Sequence, residues 1–169
     1  MITDVNPARL ALAAEVADVT AVNVATEDLR DVMARLRMIA LFDLSARYRA
    51  LPLGTGNKTE RLFGYFTWHA DDSPPINPIG DLYKTQVWAL ARHLGVPDII
   101  ITKPATADLI AGQTDEGDLG ISYARADEIL NGMLHGFSHE AMRSRGFQSD
   151  ELTLVSKRLN GTHWRSEEH

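Results

Sequence analysis

The sequence predicts an α/β fold in which helices predominate and strands are few and short. Two long helices are indicated, over residues 27–50 and 81–94, and the chain offers at most four short β-rich segments. Isolated pairs of short strands are not stable in water unless other elements pack on them. We therefore expect a mostly helical chain whose strands depend on the helices around them.

The composition is typical of one soluble domain. The chain has 169 residues, 44% hydrophobic and 24% charged, which suffices for a core of its own. A net charge of −6 argues against nucleic acid as a partner. No apolar run reaches the ~18 residues of a membrane span, and the absence of cysteine excludes disulfides and thiolate metal sites. We expect a single domain over residues 1–169, cytoplasmic, with no membrane partner.

The first fifty residues predict two helices with a short strand between them. Residues 7–17 are rich in alanine and begin with Pro7, which favours a helix start. Val19–Val24 is β-branched and predicts a strand. Thr26 is placed to cap the helix over residues 27–50, in which one apolar stripe repeats at helical spacing. The stripe comprises Leu29, Val32, Met33, Leu36, Ile39 and Ala40.

The rest of the chain alternates short elements with glycine- and proline-rich loops. Residues 51–53 predict a short buried strand, residues 68–79 an irregular segment, and residues 98–101 a further short strand. The helix over 81–94 is ended by Gly95 and Pro97. Three short helices should follow, opened by Ser122, Ser138 and Ser149 and closed by Gly136, Gly146 and Gly161. The helix over 81–94 should bury Tyr83, Val87, Leu90, Ala91 and Leu94.

The loop LGTGNKTERLFGYFT, residues 53–67, is similar to a phosphate loop but matches neither common signature. Asn57 stands between Gly56 and Lys58, where a Walker A loop needs a glycine, and Thr59 stands where a dinucleotide loop needs its third glycine. Glu60 is either a hard oxygen ligand for Mg²⁺ or a first-turn acid that favours a helix start.

Lys84 is the sharpest local signal for a bound anion. It lies in the first turn of the helix over 81–94, where a cation opposes the helix dipole by about 0.3–1 kcal/mol. A phosphate at this helix start would explain it, and a lysine extended into solvent is the alternative. Thr55 and Thr106 each follow a predicted strand, where ligands of open α/β sheets gather.

Other polar residues allow two interpretations each. Arg35 and Arg37 either clamp an anion or cover the helix flank with their stems. Asp115, Glu116 and Asp118 either bind a metal or belong to a solvated mobile lid.

Five motifs in the same order together resemble the ammonia-dependent NAD synthetases, a family of the ATP pyrophosphatase group. They are MARLRMIALFDLS, LGTGNKTERLFGYFT, INPIGDLYKTQVWALARHLGVP, KPATADLIAGQTDEGDLGISY and a final N-x-x-H, spread between Met33 and His163. The resemblance implies an incomplete, doubly wound, adenine-nucleotide-hydrolase-like fold. It also implies adenylation of deamido-NAD by Mg-ATP, followed by displacement of AMP by ammonia.

The same resemblance implies roles for particular residues. Thr55, Lys84 and Thr106 match positions that contact ATP, and Glu60 matches a magnesium ligand. The run 111–120 matches a loop that closes over the site. Closure would exclude the water that otherwise hydrolyses an acyl-adenylate.

On the deamido-NAD side, Arg35 and His163 match substrate contacts, but other positions depart from the family pattern. Trp68 and Trp164 replace lysines and Pro75 replaces an aspartate, so the two tryptophans would offer a flat surface for stacking on the substrate. The family's phosphate loop, S-G-G-x-D-S, is absent, since no glycine precedes Gly54.

That gap predicts a homodimer, or a partner chain that supplies the phosphate loop. Without the first strands of the fold, the helix over 27–50 and the segment 51–53 should expose apolar surface. Three functions follow from the resemblance: a synthetase that needs its other half, an inactive nucleotide-binding or dimerisation module, and a related ATP pyrophosphatase that acts on a different carboxylate.

Overall fold

The computed structural model describes residues 2–4, 21–23, 30–109 and 112–162. The helix expected over residues 7–17 and the cap expected at Thr26 lie outside these ranges, as do His163 and Trp164. The described elements are predominantly helical, as the sequence predicts.

The described strands form one small parallel sheet. β1 (Ile2–Asp4) pairs with β2 (Ala21–Asn23), with Ile2 opposite Ala21. The strand expected over 19–24 is thus confirmed for its central residues. A parallel pair requires a crossover connection between its strands, and the sixteen residues from 5 to 20 that make this connection are not among those described.

The strand expected over residues 51–53 is wrong. Leu53 makes a single isolated parallel bridge to Ile76, and both Leu51 (67%) and Leu53 (56%) are largely exposed. A strand needs a neighbour along its length to satisfy its backbone, and one bridge does not supply that.

Eight helices follow in the described part of the chain. They are α1 (Arg30–Tyr48), α2 (Lys58–Phe63), α3 (Lys84–His93), α4 (Asp98–Ile101), α5 (Asp115–Leu119), α6 (Tyr123–Leu134), α7 (His139–Arg143) and α8 (Ser149–Gly161). Ser122 and Ser138 cap α6 and α7 as expected, whereas Gln148 rather than Ser149 caps α8. No helix in the described ranges is long and apolar enough to cross a membrane.

Residues 98–101 form α4 rather than the expected strand. Pro97 precedes the first turn, and the Thr102 hydroxyl donates a hydrogen bond to the Asp98 carbonyl at 2.7 Å. Ile99 (80%) and Ile100 (63%) are exposed, and only Ile101 is buried. The β-branched residues therefore had no sheet to join, and their strand propensity did not decide the outcome.

The apolar stripe of α1 is exposed, as expected from the resemblance. No residue of α1 is buried, and Leu36 (58%) and Ile39 (65%) are the clearest examples, while Leu29 lies outside the described residues. The prediction of a buried face on the helix over 81–94 is only partly confirmed. Tyr83 is buried, but Leu94 is 68% exposed. Trp88 packs against the core instead.

The core is built around α6. This helix contacts α2, α3 and α8, and its side chains Tyr123, Ile129 and Leu130 are fully buried. Ala126 of α6 belongs to the same cluster, and the rest of the chain contributes Phe63, Tyr83, Leu119, Ile121, Met142, Leu152 and Val155. The elements that carry the candidate site residues Glu60 and Lys84 are thus fixed through α6.

An ion pair ties α6 to α8 at the edge of this core. The guanidinium of Arg125 donates two hydrogen bonds to the carboxylate of Glu151, at 2.9 and 2.6 Å. These bonds, with one from the Gln148 backbone N–H, lower the pKa of Glu151 from 4.5 to about 2. The pair therefore contributes stability when Glu151 is ionised.

We expect Glu151→Gln to reveal this contribution as a pH dependence of stability. The pKa of Glu151 is lower in the folded state, so its contribution is fully present above pH 4.5 and lost as the pH falls towards 2. The free energy of unfolding of the wild type should exceed that of the variant by about 1 kcal/mol at pH 7. The difference is small because the pair is partly exposed to solvent. Urea unfolding at pH 7, 4 and 3 measures the gap, and a gap that does not narrow would contradict the assignment.

Candidate functional site

The loop before α2 starts a helix and is not a Walker A loop. The Asn57 side chain accepts a hydrogen bond from the Glu60 N–H at 3.0 Å, and the Glu60 carboxylate accepts one from the Asn57 N–H at 2.9 Å. This reciprocal arrangement is a capping box. Asn57, whose presence excludes the Walker signature, is therefore the N-cap residue of α2.

The two glycines of this loop lie against Asn77. The Asn77 amide donates to the Gly56 carbonyl at 2.7 Å, and the Gly54 N–H donates to the Ile76 carbonyl at 2.7 Å. A Cβ at Gly54 would lie 3.1 Å from the Asn77 side chain, closer than ordinary contact. The glycine thus allows the loop to approach the segment that contains Asn77.

Glu60 and Lys84 form an ion pair in a largely enclosed position. The Lys84 Nζ lies 3.3 Å from the Glu60 Oε1, and the two side chains are 18% and 16% exposed. Lys84 is the first residue of α3, which confirms its predicted place in the first turn. Burial raises the pKa of Glu60, and the charge of Lys84 acts against that rise.

Tyr123 connects this pair to α5. Its hydroxyl donates to the Asp115 carboxylate at 2.9 Å and lies 3.5 Å from the Glu60 Oε1. The Lys84 Nζ lies 5.2 Å from the centre of the Tyr123 ring, a cation–π distance. Burial raises the pKa of Tyr123, and the nearby carboxylates raise it further, so the hydroxyl stays protonated and donates.

Tyr65 extends the same network. Its hydroxyl lies 2.8 Å from Asp118 and 3.3 Å from Asp115. The pKa of Tyr65 is raised by burial first and by these acids second. Neither tyrosine was predicted as a site residue; the available signal was that Tyr65 lies within the loop motif and Tyr123 follows the acid cluster.

The acid cluster is helical and not a loop, and Asp115 is buried, whereas Glu116 and Asp118 are exposed, as expected of a solvated segment. Thr114 caps α5 by accepting a hydrogen bond from the Gly117 N–H. Asp115 is 5% exposed and Leu119 is fully buried. Because Leu119 packs into the core, this part of the run is anchored to the domain. Closure of the run 111–120 over a ligand stays a prediction.

Thr55 and Thr106 are not part of the hydrogen-bond network of the ion pair in the described residues. Thr55 lines a hollow of about 600 Å³ that α1 shares with Ala107, Leu109, Gln113 and Asp118. The Thr106 hydroxyl accepts a hydrogen bond from the Asp108 N–H at 3.0 Å. Neither threonine shares a hydrogen bond with Glu60 or Lys84 in the described ranges, and neither follows a strand, so the strand-end placement expected for them is wrong.

Glu60 lines a second hollow of about 670 Å³, beside Gly56 and Asn77. Phe66 and Asp71 line both hollows, which therefore adjoin each other. The structure thus places Thr55 and Glu60 on neighbouring concave surfaces and not on a single one.

Arg35 and Arg37 of α1 donate hydrogen bonds to backbone carbonyls. The Arg35 Nε donates to the Trp68 carbonyl at 3.1 Å. Arg37 donates to the carbonyls of Ala107 and Asp108, at 3.1 and 3.2 Å. Arg37 therefore holds the segment that follows Thr106, a role that neither of its two predicted interpretations included. His163 and Trp164 lie outside the described residues.

The carboxylates of the site could hold magnesium only if a substrate supplied further ligands. Within the described ranges, no group of three or more His, Cys, Asp or Glu residues could hold a metal ion. Glu60 and Asp115 do present carboxylates to the same tyrosine hydroxyl. Mg²⁺ typically binds one or two carboxylates together with substrate phosphates and water, so these two residues fit that arrangement.

Comparisons with known proteins agree with the motif pattern. The NAD synthase family model matches residues 1–168. The chain is 58% identical over 104 residues to the NH(3)-dependent NAD(+) synthetase of Chlorobaculum parvum, covering 62% of the chain and 38% of that protein. It is 46% identical over 134 residues to the one of Trichlorobacter lovleyi, covering 79% of the chain and 49% of that protein. The chain thus spans less than half the length of either relative.

Solved structures show the same fold. The NMN synthetase of Francisella tularensis superposes with a TM-score of 0.70 at 25% identity, covering 99% of this chain and 74% of that one. The NH3-dependent NAD synthetase of Campylobacter jejuni, in complex with the nitrate ion, gives 0.65 at 26% identity, covering 95% and 61%. The predicted adenine-nucleotide-hydrolase-like fold is confirmed in a partial, mostly helical form. The chain belongs to the NAD synthase family.

Proposed function

We propose that this chain supplies the ATP-facing part of an ammonia-dependent NAD synthetase. In that reaction a carboxylate oxygen of deamido-NAD attacks the α-phosphorus of ATP, and the bond to pyrophosphate breaks. Ammonia then attacks the carboxyl carbon, AMP departs and the amine loses a proton. The single observation that carries the proposal is the enclosed Glu60–Lys84 pair beside Asp115 and Tyr123.

The Glu60–Lys84 pair suits a site for triphosphate because its charges can be redistributed. Lys84 carries its cation at the positive end of α3, and Glu60 is the anion that offsets it in the free protein. A phosphate could take the place of Glu60 beside the ammonium, since the lysine stem is flexible. Glu60 would then be free to share a magnesium ion with the phosphates.

Magnesium would be held by Glu60, with Asp115 as the second carboxylate within the same network. When bound, it neutralises negative charge that develops on the phosphates as pyrophosphate leaves. Tyr123 would keep the two carboxylates apart and oriented by its hydroxyl, while its ring supports the Lys84 ammonium.

The remaining assignments follow the family pattern. Thr55 and Thr106 would contact ATP, with Arg37 holding the segment after Thr106. The deamido-NAD side would comprise Arg35, His163, Trp68 and Trp164, which occupy family positions for the substrate. We propose one domain over residues 1–169, located in the cytoplasm.

The function can be tested by binding and by turnover. Calorimetry should detect binding of Mg-ATP and of deamido-NAD to the purified chain. Pyrophosphate and NAD should form when ammonia is added together with a polypeptide that carries the S-G-G-x-D-S loop. Because one structural neighbour is named an NMN synthetase, nicotinate mononucleotide belongs in the same substrate panel. A chain that binds no ATP and restores no turnover would overturn the proposal.

The exposed stripe of α1 supports association with a second copy or with a partner chain. We expect sedimentation to show a species larger than a monomer, and Ile39→Asp to shift it towards the monomer. Ile39 is 65% exposed, so an acid there disturbs an interface but not the core. Glu128→Lys, a charge change on exposed α6 surface, serves as the control. A folded monomer at tens of micromolar would contradict this expectation.

A further inference from the structure

A buried carboxylate next to the candidate site has no part in the proposed chemistry. Asp127, on α6, is 4% exposed and lies among the apolar residues of the core. Its Oδ1 accepts a hydrogen bond from the Thr59 hydroxyl at 2.5 Å, and its Oδ2 accepts one from the Thr85 N–H at 2.8 Å. Both oxygens of Asp127 are therefore engaged within the protein.

Thr59 makes the second half of this arrangement. Its hydroxyl, which is fully buried, also accepts a hydrogen bond from the Lys84 N–H at 3.1 Å. Lys84 and Thr85 are the first two residues of α3, whose N-cap residue, Tyr83, provides no side-chain cap. Thr59 and Asp127 thus satisfy two backbone donors that the start of a helix leaves unpaired.

These contacts connect the two elements that carry the ion pair. Thr59 precedes Glu60 on α2, and Lys84 begins α3, while Asp127 belongs to the central helix α6. We propose that Asp127 and Thr59 are positioning residues that hold the Lys84 ammonium against Glu60. The importance of that pair for catalysis rests on the function proposed above, but the positioning itself does not.

The chemistry of the contacts favours a carboxylate at position 127. Both of its partners donate: the Thr59 hydroxyl gives its proton because a carboxylate oxygen can only accept, and the Thr85 N–H can only donate. An asparagine would have to turn its NH₂ group towards one of these two donors. Asp127→Asn therefore keeps the shape of the side chain but replaces the hydrogen bond that the carboxylate accepts from the Thr59 hydroxyl with a weaker one that the amide donates to it.

The test measures how accessible the Lys84 ammonium is in each variant. The rate at which an N-hydroxysuccinimide ester acylates Lys84 is compared with the rate at exposed Lys103 in the same sample, by peptide mass spectrometry. Asp127→Asn and Thr59→Val should raise the ratio of Lys84 to Lys103 about three-fold or more, since an unpaired lysine is more reactive. Thr59→Ser, which keeps the hydroxyl, should leave the ratio unchanged.

Two controls separate positioning from a general loss of stability. Val155→Ala removes buried volume from α8 without removing any of these hydrogen bonds, and should leave the ratio unchanged although it lowers the melting temperature. Glu128→Gln changes the exposed neighbour of Asp127 and should leave the ratio of Lys84 to Lys103 acylation unchanged. If Asp127→Asn does not fold, Thr59→Val against Thr59→Ser decides the question. An unchanged ratio in Thr59→Val would overturn the proposal.

Protection by Mg-ATP distinguishes this proposal from the function on which it builds. If ATP protects Lys84 in the wild type while the ratio is the same in all variants, the site assignment stands and the positioning role fails. If the ratio rises in the variants while ATP protects Lys84 in none of them, the positioning role stands and the ATP site fails.

Discussion

Replacing Lys84 with methionine is expected to lower ATP-dependent pyrophosphate release by about 100-fold or more, the usual cost of removing a group that stabilises charge in the transition state. Methionine keeps the length of the stem but removes the ammonium, which lies 3.3 Å from Glu60 and 5.2 Å from the centre of the Tyr123 ring. Because the charge of Lys84 lowers the pKa of Glu60, its loss should also raise that pKa further. The assay is the reconstituted reaction described above, with ATP affinity measured by calorimetry.

Lys58→Met is the matched control for this variant. Lys58 lies in the loop that is similar to a phosphate loop, and its ammonium pairs at 3.2 Å with Asp81, which is 97% exposed. An exposed pair contributes roughly 0–1 kcal/mol, so we expect a change in rate of less than about three-fold. If Lys58→Met reduces the rate as much as Lys84→Met does, Lys58 also contacts the phosphates and the assignment of this role to Lys84 alone is wrong.

The sequence could predict those features of the site that depend on a few adjacent residues. The missing glycine at Asn57 correctly excluded a Walker A loop, and the first-turn position of Lys84 followed from the helix pattern. The capping box was also readable, because an asparagine followed three residues later by a glutamate is its signature. Local hydrogen bonding determines these features, so no tertiary information was needed.

Strand predictions failed where the outcome depended on a neighbour. Residues 51–53 and 98–101 both have the β-branched or apolar character of strands, yet the first makes one bridge and the second forms α4. Strand propensity describes how well a residue fits a sheet that already exists. The sequence of one segment does not say whether that sheet is available beside it.

The polar residues that organise the site were the hardest to find. Asp127 meets Thr59, and Tyr123 meets Glu60, across more than sixty residues of sequence. One signal was present: Asp127 lies between Ala126 and Ile129 on the buried face of α6, where a charge is costly unless it is paired. Such a break in an apolar face predicts that a partner exists but does not identify it.

Replacing Leu130 with alanine is expected to lower the free energy of unfolding by about 3 kcal/mol, within the range for fully buried leucines. Leu130 is fully buried on α6, and α6 contacts the helices that carry Glu60 and Lys84. The loss combines the transfer of the missing methyl groups with the cavity left behind, and it is large against the 5–15 kcal/mol of an ordinary domain.

Leu134→Ala is the control for Leu130→Ala, since it makes the same chemical change one turn later on the same helix. Leu134 is 50% exposed, so we expect it to lose less than about 1 kcal/mol. Urea unfolding at pH 7, monitored by circular dichroism, measures both variants. Equal losses would mean that α6 is not the centre of the core. If so, the support that Asp127 and Tyr123 receive from this helix, and with it the geometry of the Glu60–Lys84 pair, would need another explanation.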